Sequence, residues 1–300
     1  MEMMKVAEDA RATWTEPEWR SRMERHTRRL SPILSAHLDR ASRQEPHPVI
    51  DFLFKYYSFS PAHLLRWSPG VGVVLAGEIP DSLQAIREGS VTPAGWWMDP
   101  GHFPEARRDP LAWVVSLLRA VADRPPRFGC FGLHEWAMVY RSDSVRHPQL
   151  PLRYTVEETA NIVDALPIAC SHYDAFRFFT PAARPRNRLQ PDLASRIDLE
   201  QCGCLHVNMD LYKWSSMFYP WISSDLIADC FLLALRIREV DMRASPYDLT
   251  GLGLDPIPIE TEEGRCQYVE WQKTFSAEAV PLRQRLIEAL AELIRLTGRA

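Results

Sequence analysis

A chain of 300 residues, 46% hydrophobic and 25% charged, has the composition of an ordinary globular protein, long enough for one large core or two modest ones. A formal net charge of −4, from 35 Lys and Arg against 39 Asp and Glu, argues against coating nucleic acid by bulk electrostatics and leaves room for local basic patches. No apolar run approaches the roughly 20 residues that span a bilayer, the stretch from Met1 to Arg29 is charged unlike a signal peptide, and the six cysteines form no CxxC pairs, which disfavours structural zinc. The expectation is a cytoplasmic protein with no membrane partner and reduced thiols.

Residues 1–45, rich in Arg and Glu with Trp14 and Trp19 as docking points, predict one or two helices of a peripheral N-terminal arm. The globular body starts near Pro48 and is expected to run from 46 to 300 as a single domain with a polar cavity. Pro-Gly, Gly-Val-Gly and Thr-Pro-Ala-Gly punctuation makes residues 69–101 loop-like, with a short strand at Val71–Leu75. Asp109-Pro110 is an N-cap and first-turn pair opening a helix through Leu111–Ala122. Thr155 with Glu158 spells a capping box. Pro167 restarts helical text from Ile168 to Phe179. Further strands are expected within Phe131–Tyr140 and at Leu205–Leu211. Asp225 to Met242, apolar nearly all round at its centre, predicts a buried helix, and Ser276 is placed as the cap of the last one. The fold class is mainly α, a helical globular domain with a few short strands.

Chemically capable residues sit in apolar text at Cys170–Arg177, His206–Lys213 and Asp241–Asp248. Burying a charge without a partner costs several kcal/mol, so these clusters pair internally or act on a ligand, and they are expected to converge on one cavity. On a helix Tyr173, Asp174 and Arg177 occupy neighbouring faces. Read as a strand, His206, Asn208 and Asp210 alternate onto one polar face, with Lys213 beyond. Arg184, Arg186 and Asn187 form a proline-braced basic loop suited to an anion. Arg243 is expected to hold a carboxylate of these clusters in place. His134, Glu135, His172, Asp174, His206 and Asp210 are of the right kinds for iron, manganese or zinc, although their spacing matches no familiar metal motif. Tyr57, Trp96 and Trp97 supply aromatic faces.

The stretches Phe52–Ser58, Phe128–Trp136, Ser171–Phe179 and Asp241–Asp248 resemble those of bacterial proteins commonly labelled 3-methyladenine DNA glycosylase, over roughly residues 48–290. The resemblance implies an N-glycosidic hydrolase of DNA repair, free of cofactors, acting on a modified nucleobase in a nucleoside or in locally extruded nucleic acid. Under it, Asp174 or Asp210 would stabilise an oxocarbenium-like state, and His172 or His206 would orient water or protonate the leaving base. Arg177, Arg184 and Arg186 would hold phosphate. Tyr57, Trp96 and Trp97 would stack on the base, and Tyr173, Asn187, Asn208, Lys213 and Arg243 complete the expected substrate-binding set. Two alternatives stand beside it: a metal-dependent oxidoreductase using iron or manganese on the same His and Asp clusters, and a non-enzymatic small-molecule-binding protein.

Overall fold

Glu18 accepts hydrogen bonds from both the backbone N–H and the hydroxyl of Thr15, and Pro17 lies in the first turn, so one long helix, α1 (Glu16–Ser42), starts where the arm was expected. The structure, a computed structural model, describes residues 12–142, 145 and 147–298; the first eleven residues of the expected arm lie outside these. Among the described residues the fold is mainly helical, with twelve α-helices and one four-stranded sheet. No described helix is long and apolar enough to cross a membrane.

The chain divides into two compact units. The first comprises Met1–Ser116, Leu211–Leu232 and Leu282–Ala300. It holds β1 (Ala12–Trp14), α1, α2 (Ile50–Tyr57), α3 (Pro61–Leu65), β2 (Val73–Leu75), α4 (Asp81–Gln84), β3 (Gly89–Thr92) and β4 (Gly95–Met98). The sheet order is β1-β2-β4-β3, with β1 parallel to β2 and the other pairs antiparallel. The stretch expected to be loop thus contains a hairpin. Its turn is tied by the Thr92 hydroxyl, which donates to the Gly95 carbonyl. Gly95 has φ +131°, and a Cβ there would collide with the Leu75 carbonyl oxygen. Trp96 and Trp97 register against Leu75 and Val74 and are 1% and 2% exposed, so both are core residues of this sheet, unavailable for stacking on a base. Trp19 is buried, its indole N–H donating to the Ala76 carbonyl.

The second unit comprises Leu117–Asp210 and Leu233–Pro281. Its helices are α6 (Leu133–Ala137), α7 (Val156–Ala165), α8 (Tyr173–Phe176) and α9 (Arg196–Leu199). The division between units falls within four longer helices: α5 (Arg108–Asp123), α10 (Leu205–Met217), α11 (Ser224–Arg243) and α12 (Glu262–Thr297). Helices α5, α7 and α11 match the sequence expectation, and α7 carries the Thr155–Glu158 capping box.

Four elements differ from expectation. Leu205–Leu211 is the start of α10, not a strand. Every residue from Leu205 to Tyr212 is buried, so neither a period of 2 nor one of 3.6 separates a wet face from a dry one, and the polar alternation is coincidental. Phe131–Tyr140 contains α6 instead of a strand, for the same reason: Leu133–Tyr140 is buried throughout. Of Ile168–Phe179 only Tyr173–Phe176 is helical; Ile168 instead forms an isolated bridge to Asn187. Ser276 lies in the interior of α12, which continues past Pro281.

Candidate functional site

The second unit buries three histidines, five carboxylates and two arginines in one connected network. Helix α6 is entered through Phe131 (φ +49°) and Gly132 (φ +72°), two left-handed residues in succession. It brings His134 and Glu135 inside, each no more than 3% exposed. Along α10, His206 and Asp210 are one turn apart and share a face. Helix α11 contributes Arg238 and Asp241, three apart and each 1% exposed.

His134 Nε2 lies 2.9 Å from Asp241 Oδ1, and His206 Nε2 lies 3.7 Å from Asp241 Oδ2. The two imidazoles meet edge to face with centroids 4.4 Å apart. Arg238 Nη1 donates to Glu135 Oε1 at 2.6 Å and to Asp241 Oδ2 at 2.9 Å. His134 Nδ1 contacts the Cys130 sulfur at 3.4 Å. His206 Nδ1 is buried without a hydrogen-bond partner. Burial, reinforced by the neighbouring charge of His134, holds the His206 imidazole down to about 3, so it is neutral. His134 behaves oppositely: burial is the largest single influence and disfavours its cation, yet the charges of Asp241 and Cys130 and the hydrogen bonds to both together raise its pKa. Asp241 is depressed although burial opposes ionisation, because His134, His206 and Arg238 surround it.

A ring of His172, stacked on His206 at 5.3 Å and 14°, links this group to a second one. His172 Nδ1 accepts the Ala175 backbone N–H at 3.2 Å, which places the ring proton on Nε2, directed to Asp210 Oδ2 at 3.1 Å. Arg196, 3% exposed, reaches Glu200 Oε1 (2.8 Å), Asp174 Oδ2 (3.2 Å) and Asp210 Oδ2 (3.5 Å). Glu200 lies 3.9 Å from His172 Nε2, and burial raises its pKa. Arg177 covers Asp174 at 3.1 Å from a half-exposed position.

Two groups have metal-ligand geometry. One is His134, Glu135, His206 and Asp241; the other is His172, Asp174 and Asp210; within each, one donor atom per residue lies within 4.8 Å of the others. Donors sharing one first-row ion at about 2.0–2.2 Å are at most about 4.4 Å apart, so the first group, within 4.8 Å, would draw closer around an ion. His172 has both ring nitrogens engaged, Nδ1 accepting a backbone N–H and Nε2 directed to Asp210, an arrangement suited to proton transfer. His134 too has both nitrogens engaged, by Cys130 and Asp241, so a ligand role there requires it to give up the Asp241 contact. In the first group Glu135 and Asp241 face the Arg238 guanidinium and the raised His134, and in the second Asp174, Glu200 and Asp210 face Arg196, with Arg177 at the rim. Comparison of the chain with protein-family models, with curated proteins and with solved structures finds no match.

His172, Asp174, His206 and Asp210, singled out as catalytic, are thus gathered in one buried network, with Tyr173 beside it, its ring 6.0 Å from the Arg196 guanidinium. Other expectations are corrected. Asn208 is fully buried and its amide donates to the Cys202 carbonyl, because in a helix it leaves the His206–Asp210 face. Asn187 braces the chain through Cys170 N, Cys170 O and Leu189 O. Arg184 caps the Arg177 carbonyl, and Arg186 pairs with Asp164, so neither presents a free guanidinium to phosphate. Arg243 donates to the Asp255 carbonyl instead of a cluster carboxylate; that role belongs to Arg238 and Arg196. Tyr57 and Lys213 belong to the first unit, packed on Tyr212 and Trp214. Arg238, just beyond the apolar centre of α11, was absent from the expected site residues, and Asp241 was named only as the start of the third polar cluster, with no role assigned. Arg196 and Glu200, in an ordinary Arg-Ile-Asp-Leu-Glu run, offered no signal.

Proposed function

We propose that the protein is a metal-dependent enzyme of the oxidoreductase class. One iron or manganese ion would be held by His134, His206, Asp241 and Glu135, and His172–Asp210 would serve beside it as proton donor and acceptor. The observation carrying this reading is the convergence of two imidazoles and two carboxylates within 4.8 Å, with the buried Nδ1 of His206 left unpartnered. Nitrogen and oxygen donors without thiolate suit iron and manganese. The Cys130–His134 contact would orient His134 from behind, as outer partners of ligating histidines do. Enclosure of all four donors supports chemistry that must be shielded from bulk water. Protein grown with iron or manganese, chelated and reloaded, tests it. Uptake near one ion per chain, lost in Asp241→Asn, is expected; no uptake of either metal contradicts it.

A second reading, N-glycosidic hydrolysis of a modified nucleobase, draws on the His172–Asp210 pair, a proton donor beside a carboxylate. Its base-stacking partners Trp96 and Trp97 are core residues, and its phosphate-holding Arg186 is already paired. Base release from alkylated DNA and free nucleosides, retained after metal removal and abolished by Asp210→Asn, would favour it over the metal reading.

A further inference from the structure

The second unit contains a pocket of about 280 Å³ whose wall includes Arg127, Cys130, Ser171, Arg188 and Cys204. Two arginines and no carboxylate line it. Neither of those guanidiniums has a hydrogen-bond or ion-pair partner among the described residues. Their neighbours in sequence behave differently: Arg124 is bound to the Glu200 and Ile197 carbonyls, and Arg186 to Asp164. Another pocket of this unit, walled by Glu262, Arg265, Glu270 and Lys273, carries both signs, with Lys273 paired to Glu270. The Cys130 side chain is half-buried, and its sulfur lies 3.4 Å from His134 Nδ1. The positively lined pocket therefore adjoins the candidate metal centre through the Cys130 thiol and the His134 ring behind it.

We infer that this pocket receives the substrate, and that the substrate is a small oxyanion, an organic carboxylate or phosphate, held by Arg127 and Arg188. The inference rests on the reading of the buried cluster as a catalytic centre. At about 30 Å³ per water the space equals roughly nine waters, which fits a metabolite-sized molecule and not a strand of nucleic acid. A guanidinium binds carboxylate or phosphate through two parallel N–H donors, and a wall free of carboxylates leaves no competing partner.

Calorimetric titration with succinate, phenyl phosphate and neutral succinamide tests the assignment on the full chain. Saturable binding of at least one anion, absent for succinamide, is expected. Arg127→Gln and Arg188→Gln should each weaken it tenfold or more, whereas Arg119→Gln, an exposed arginine outside the pocket, leaves it unchanged. The preference between succinate and phenyl phosphate distinguishes a carboxylate from a phosphate substrate. Absence of anion binding, equal binding of succinamide, or equal weakening by Arg119→Gln overturns the inference. Running the series on metal-loaded and chelated protein separates the two claims. Arginine-dependent binding in protein that takes up no metal removes the metal reading and leaves the pocket standing. Binding that requires metal and ignores both arginines places the anion on the ion and overturns the pocket assignment.

Discussion

Removing Arg238 probes the electrostatic logic of the site directly. Its Nη1 donates to Glu135 at 2.6 Å and Asp241 at 2.9 Å, and the side chain is 1% exposed. Arg238→Met keeps most of the volume and deletes the charge, leaving buried Glu135 without its main counter-ion and buried Asp241 with His134 alone as a close one. Breaking a buried pair by removing one partner costs about 3–5 kcal/mol, a large share of the roughly 5–15 kcal/mol that holds a domain folded. At about 2 °C per kcal/mol for a chain of this size, the chelated variant should melt about 6–10 °C below chelated wild type in a calorimetric scan. Manganese should recover part of that deficit, because an ion between His134, His206, Asp241 and Glu135 supplies the missing positive charge. A loss below about 2 °C, or a deficit unchanged by manganese, would refute the reasoning.

Three further outcomes follow from the same geometry. His206 is held down to about 3 from 6.5, so the stability of chelated protein should fall as pH drops from 6.5 towards 3, where only the unfolded chain takes the proton. His134 is raised, so its contribution is complete below pH 6.5 and lost as pH climbs through its folded value; the two give a stability maximum near pH 6.5 in urea titrations, with flanks of about 1.4 kcal/mol per pH unit, and a plateau from pH 5 to 8 would contradict them. Gly89→Ala places a Cβ into the Trp96 indole and should destabilise the protein by about 1–3 kcal/mol, read as a shifted urea midpoint with metal content unaltered. Arg243→Lys should leave metal uptake unchanged, since the side chain donates to the Asp255 carbonyl; metal loss in that variant would show that Arg243 reaches the centre.

The sequence exposed the helices that have caps or a clear apolar stripe: Thr155–Glu158 opens α7, and Asp109-Pro110 lies in the first turn of α5. It concealed α6 and the start of α10, which are buried on all sides and so carry no periodic signal. The candidate site was legible in part for a chemical reason, since His172, Asp174, His206 and Asp210 are groups that apolar surroundings tolerate only when paired. Their partners were harder to see. Arg196 and Glu200 pair at a spacing of four with each other, and nothing local announces that Arg196 also meets Asp174 and Asp210, 22 and 14 positions away. The aromatic and basic residues expected to grip a base failed for the opposite reason. Trp96, Trp97, Asn187 and Arg186 found structural partners, which sequence composition does not distinguish from ligand contacts.

Anomalous diffraction from crystals of manganese- or iron-loaded protein tests the central claim most directly. One peak about 2.0–2.3 Å from His134, His206, Asp241 and Glu135 donors, weakened or lost in Asp241→Asn, is the predicted result. Metal-loaded crystals with no anomalous density among these four residues, and Arg238 still joining Glu135 to Asp241 around an unmetallated His134, would contradict it.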